Sequence, residues 1–330
     1  MYVGKNFKLS LVLSFAWPNL LITFAWSTLV VGCFQILNWK FLAIPFLPIG
    51  TIGTAVAFFL GFKNNQAYDR LWEARRLWGG MTNTSRMFCY TLLALLSDKD
   101  ANTMRDILFR HLSYVNVLRL QLRRHIAWAT TQFAQHRSFV SDADELQDFH
   151  EGLKEILTRN NKTQYYDLLS RLNNPAAAFI KTQIDCITQL KRKGVIDDYE
   201  HSDLLKHLNE FLNLQGGCER IKTTPLFRQF SIFSRIFVKL FILLLPFGLL
   251  KDLASIATWG VWLCVPFCML ISWVFFTMEQ IGEYSENPFD NSINDIPISS
   301  ITRNIEIDIL EMLGEKNIPS KINPQNDILL

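Results

Sequence analysis

The chain has 330 residues, 49% of them apolar, 19% charged and 13% aromatic, with a formal net charge of +3. A charged fraction below the ~25% of soluble proteins, with many aromatics, points to a membrane protein. So small a net charge, without a basic run interleaved with aromatics, argues against nucleic acid as a partner, and the scattered cysteines and histidines offer no CxxC pair, no HExxH and no cofactor site.

Residues 1–18 read as an N-terminal cytosolic arm carrying Lys5 and Lys8. The weakly apolar stretch that follows, with Pro18 and no AxA-like site, gives no cleavable signal. Residues 19–62 read as a transmembrane hairpin. Leu20 to Leu37 is charge-free for about 18 residues, near the lower limit for a span, and Phe41 to Phe62 for about 22, enough to cross a hydrocarbon core. Asn38, Trp39 and Lys40 connect them, and Pro45 and Pro48 either sit harmlessly near the start of the second span or break it in two. Gly53, Ala57 and Gly61 form a small-residue row that lets helices approach closely in a bilayer. The neighbouring row, Thr54, Phe58 and Phe62, also recurs every fourth residue and shares one helix face. Such a row most simply packs or meets lipid. If several copies surround an axis, it instead makes stacked apolar collars of the kind that gate ions by dewetting.

Residues 63–231 read as a cytosolic helical domain, with the membrane boundary at Lys63. Tyr68, Asp69, Arg70, Trp72, Glu73 and Arg76 superficially suggest an active site. Helical i, i+3 pairs account for them, no nucleophile–base set accompanies them, and no enzyme is expected. Met104, Ile107, Leu108, Leu112, Val115, Leu118, Leu122 and Ile126 mark an amphipathic helix, with shorter patterns at 183–192 and 203–214 and no alternating strand. Residues 232–278 read as a second hairpin. Its first span is interrupted by Lys239 and Pro246, Lys251-Asp252 is the turn, and Leu253 to Met278 is the fourth span. Residues 279–330 form a polar cytosolic tail with a short amphipathic helix, Ile301 to Leu313. Lys63, Arg70, Arg75, Arg76, Arg228 and Arg235 flank the spans on one side against Lys40 and Lys251 on the other, which puts both termini and the large middle region in the cytoplasm.

Three segments, GFKNNQAYDRLWEARRLWG from Gly61, GGCERIKTTP from Gly216 and ENPFDNSINDIPI from Glu286, resemble the bestrophin family, especially its bacterial homologues, in order and spacing along the whole chain. The resemblance implies an all-α membrane protein with four transmembrane helices per subunit and a large cytosolic helical domain. It also implies assembly as a homopentameric ring in a bacterial inner membrane, with lipid and small inorganic ions as the other partners and no cofactor. By the same resemblance Thr54, Phe58 and Phe62 are the pore neck, with Thr54 smaller and more polar than the bulky residue family members place there. A cytosolic constriction lies somewhere past the Asn174-Pro175 break.

In animal members an acidic cluster after NPF completes a calcium clasp. Here Asn287 and Asp295 match clasp positions, but Ser292 stands where a carboxylate would be and Asp290 is the only other acid nearby, too few for calcium's six to eight oxygens. Lacking the clasp, the chain groups with the bacterial branch, which includes cation-conducting members. Passive flow of small monovalent cations is therefore the expectation, with a chloride-type anion channel as the alternative and a membrane-anchored interaction or signalling protein without ion flux as the rival of another class.

Overall fold

A computed structural model of the protein describes residues 1–4, 9–124, 142–256 and 259–329. Among these residues the regular structure is helical, apart from isolated antiparallel bridges at Tyr2–Ile328 and Gln325–Ile328. The α-helices are α1 (Leu9–Gln35), α2 (Phe46–Leu96), α3 (Ala101–Arg123), α4 (Asp142–Arg159), α5 (Tyr166–Leu169), α6 (Pro175–Arg192), α7 (Asp198–Thr223), α8 (Arg228–Ala254), α9 (Cys264–Tyr284) and α10 (Ile298–Met312). Among the described residues, four segments are long and apolar enough to cross a membrane: Ala16–Gln35, Lys40–Leu96, Arg228–Ala254 and Gly260–Tyr284. Two compact units result. One holds Gly4–Asp69 and Leu226–Glu286; the other holds Met1–Val3, Arg70–Pro225 and Asn287–Leu330.

In the apolar unit, α1 packs on α8 and α9, and α8 on α9. Val30, Val31, Ile49, Val56, Leu60, Val238, Leu245 and Cys264 are among the side chains buried between them. Two buried hydroxyls of α1 return to their own helix, Thr23 Oγ1 donating to Asn19 O at 2.9 Å and Ser27 Oγ to Thr23 O at 2.8 Å. That satisfies them where no water is at hand. Within the small-residue row, Gly53 is the member used for close approach: a Cβ there would lie 2.6 Å from Phe241 Cε2 on α8, and Phe241 is itself held against Phe275 with ring centroids 4.7 Å apart. Gly61 has no such neighbour within 4 Å.

Element ends differ from the charge-free stretches in instructive ways. Helix α1 starts at Leu9 and continues through Pro18. Pro48 falls in the first turn of α2, where a missing backbone N–H costs nothing, so the helix is not split. Nor does α2 stop at Lys63: it runs without a break over 51 residues in all, Phe46–Leu96. Lys251 and Asp252 lie in the last turn of α8 instead of forming a turn, and α9 begins only at Cys264 after a 3₁₀ turn, Gly260–Leu263. Pro246 is buried inside α8 without ending it.

The second unit is centred on α3, which packs against α4, α6, α7 and α10. Every residue from Arg110 to Leu118 is buried, so α3 is enclosed on all sides instead of along one stripe. Several of its buried polar side chains find charged or hydroxyl partners. Arg110 bonds Asp106 at 2.5 Å, Lys162 pairs with the same carboxylate, and His111 Nε2 lies 2.9 Å from Ser85 Oγ. Burial pushes the His111 imidazole down to about 3, which keeps it neutral in the core. Helices α6 and α7 begin earlier than their apolar periodicity because capping sets their starts. Asn174 accepts from Ala177 N at 3.0 Å with Pro175 in the first turn, and Asp197 and Glu200 form a reciprocal capping box. Helix α4, buried through Phe149, Leu153, Ile156 and Leu157, was not singled out from the sequence; Ile126, expected at the end of the α3 stripe, lies outside the described residues.

The close contact at Gly53 yields a test. Gly53→Val forces Phe241 out of its packed position and lowers stability by about 1–3 kcal/mol, read as a fall in the thermal unfolding midpoint of detergent-purified protein.

Candidate functional site

The row Thr54, Phe58 and Phe62 lies on the exposed face of α2, with Phe58 67% and Phe62 63% accessible, while Val56 and Leu60 on the opposite side are buried. Exposure is not general to the aromatics of this segment. Phe59 turns inward to stack on Phe230 at 5.2 Å and meets Phe237 edge-on at 5.5 Å. Thr54 Oγ1 donates to Gly50 O at 3.0 Å, so its hydroxyl is bound to the helix and the position is less polar than a free threonine. Together the three form an uncharged, mostly apolar strip about two helical turns long.

The side opposite that strip ends in charge. Lys63, next after Phe62, is fully buried, and its ammonium donates to Glu279 Oε1 at 3.1 Å on α9 and to Ser234 Oγ at 3.1 Å on α8. Arg235 adds a second cation, Nε at 4.0 Å from Glu279 Oε1 and a terminal nitrogen 2.7 Å from Glu283 Oε1. Asn64 Nδ2 donates to Met278 O at 3.0 Å, and only a glycine at 282 leaves room for the Asn64 side chain beside α9. Asn65 remains exposed. Lys63 is therefore not an exposed boundary charge: desolvation is offset by a carboxylate and a hydroxyl supplied by two other helices.

The segment after α9 uses its acids differently. Phe289 is buried, Asp290 Oδ1 receives Lys222 Nζ at 2.6 Å, and Asp295 Oδ2 accepts from Ser292 N at 2.9 Å to close a turn. Asn287 is half-buried at the start of this segment. With an ammonium already on Asp290 and a hydroxyl residue at 292, these side chains do not fit calcium, and among the described residues no group of three His, Cys, Asp or Glu side chains converges as a metal site. Burial pushes the Asp295 carboxyl up from 3.8 to about 7, against the lowering effect of its bond from Ser292.

A family model for the bacterial and fungal bestrophins matches residues 6–311. The chain belongs to that family. Among curated relatives of this bestrophin, the Escherichia coli K12 protein named voltage-dependent anion channel-forming protein YneE is 30% identical over 316 residues, covering 95% of this chain and 91% of the other. A Mesorhizobium japonicum protein of the same descriptive name, mll4386, is 29% identical over 91% of this chain and 81% of its own. The crystal structure of a bacterial bestrophin homologue from Klebsiella pneumoniae, 26% identical, covers 91% of this chain and 98% of that one with a TM-score of 0.74. Family membership and the four apolar segments make the protein a membrane protein.

The structure thus places Thr54, Phe58 and Phe62 on one exposed face, and keeps Asn287 and Asp295 in a separate segment that closes on itself. Sequence reasoning had no role for Glu279 and Glu283. Their signal was present: two carboxylates four residues apart directly after the fourth apolar stretch, with Lys63 ending the second.

Asp295 gives a pH prediction. The folded protein retains a proton there that the unfolded chain has released above its ordinary 3.8, so stability falls as pH rises from about 4 to about 7 and levels off beyond, at about 1.4 kcal/mol per pH unit at most. Asp295→Asn removes the decline. Chemical-denaturation midpoints show the variant ahead of wild type at pH 8, by a few kcal/mol at most, and level with it near pH 4.

Proposed function

We propose that the chain forms a bestrophin-like channel in which several copies, five by resemblance to the family, surround one passive pathway lined by α2, with Thr54, Phe58 and Phe62 as its neck. The observation that carries this reading is the pair of phenylalanines left accessible on the face of α2 opposite its packing against α8 and α9. Both are more accessible than any described aromatic side chain of α1, α8 or α9, which marks this face for contact with something outside the subunit. Apolar collars one turn apart provide a narrow, dewetting constriction.

Small anions are the proposed ions. The expected preference for cations rested on grouping the chain with bacterial homologues, and the names those relatives carry favour the anion alternative instead. Further along α2 the exposed charges are Asp69, Arg75, Arg76 and Arg86, the last paired with Asp308, a cationic excess that suits the same choice. Self-association, a bacterial inner membrane and cytoplasmic termini belong to this proposal, supported by the family, the apolar segments and the distribution of basic residues. Nothing in this scheme calls for enzymatic chemistry, since the neck offers neither nucleophile nor base.

Reconstitution into planar bilayers tests it. Under a KCl gradient the purified protein gives currents that reverse nearer the chloride than the potassium equilibrium potential. Phe58→Ala and Phe62→Ala each raise the conductance severalfold by widening and wetting the collars. Unchanged conductance in both variants removes the collars from the mechanism, and absence of current favours an interaction protein.

A further inference from the structure

Lys63 is the only charged side chain between Lys40 and Asp69. It follows the last neck residue directly and is sealed from water with Glu279 as its ion-pair partner. Arg235 and Glu283 complete a cluster of two cations and two carboxylates, all on α2, α8 and α9 within the apolar unit. The polar residues that follow on α2, Asn64, Asn65 and Gln66, are neutral.

Apolar collars set size and wetting but have no preference for the sign of an ion. A sign preference at the neck has to come from charges close to it and poorly screened. Buried charges meet both conditions, because salt screens them far less than exposed ones and their field acts through a low dielectric. A narrow passage with low-dielectric walls focuses that field.

We infer that the charge balance of the Lys63–Glu279–Arg235–Glu283 cluster sets the ratio of anion to cation passage at the neck, with Glu279 holding the positive charge of Lys63 in check. The inference rests on the reading that α2 lines the pathway. The cluster acts through space, since Lys63 is turned away from the exposed row. Removing one carboxylate leaves each subunit with an uncompensated positive charge beside the neck; removing the lysine leaves a negative one.

Reversal potentials of reconstituted protein under a KCl gradient test the inference. Glu279→Gln raises the anion-to-cation permeability ratio severalfold and Lys63→Met lowers it severalfold, and in the double variant the two shifts cancel. A purely structural role weakens the current in both single variants but does not order their reversal potentials with opposite sign. Glu283→Gln makes the same change of charge as Glu279→Gln with the Lys63 pair intact, and carries the test if Glu279→Gln does not assemble. Lys63→Met carries it if wild type already reverses at the chloride potential. Conducting variants with unmoved reversal potentials, or with shifts of the same sign, overturn the inference and leave the pathway reading standing. A wild-type protein that passes no current overturns the pathway reading itself.

Discussion

A lysine ammonium that has left water must find a compensating charge and hydrogen-bond acceptors, and Lys63 finds them on two other helices at once, the carboxylate of Glu279 on α9 and the hydroxyl of Ser234 on α8. Losing either charged partner of such a pair costs about 3–5 kcal/mol, so the contact tolerates little rotation of α2 about its axis. Once that rotation is fixed, the geometry of a helix dictates the rest. Val56 and Leu60 must face inward with Lys63, and Thr54, Phe58 and Phe62 must face outward. Gly53 against Phe241 and Phe59 between Phe230 and Phe237 hold the same registration further up the helix. The proposed neck is thus positioned less by its own residues than by what lies behind them.

Continuity of α2 through residue 63 follows from the same contact. A charged run after an apolar one commonly marks the end of a span, and a turn there would separate membrane and cytosolic helices. Burying the one cation at the junction makes a turn unnecessary. The helix runs on to Leu96 carrying apolar residues first and charged ones after. In the other unit, the Arg110–Asp106–Lys162 group and the His111–Ser85 contact show the same solution, buried polar side chains brought to partners.

Legibility from sequence divided along physical lines. Long charge-free stretches and the four-residue spacing of Thr54, Phe58 and Phe62 depend only on neighbours along one helix, so the helical class, the apolar segments and the shared face could be read directly. Helix ends were less legible because Pro18 and Pro246 sit inside helices, while Asn174 and Asp197 cap α6 and α7 well before their apolar periodicity begins. The partners of Lys63 were not legible, since Glu279 lies 216 residues away and only folding brings it to 3.1 Å. Which ions pass was beyond spacing altogether. The family resemblance suggested cations, and the relatives' names pointed the other way.

The central claim is that the face of α2 bearing Phe58 and Phe62 looks at an axis shared between subunits. Particle imaging of detergent-purified protein tests it most directly. The account predicts a closed ring of five copies with side-chain density for both phenylalanines converging on an open central axis. A monomeric particle, or a ring in which that face meets detergent while other segments fill the centre, contradicts it.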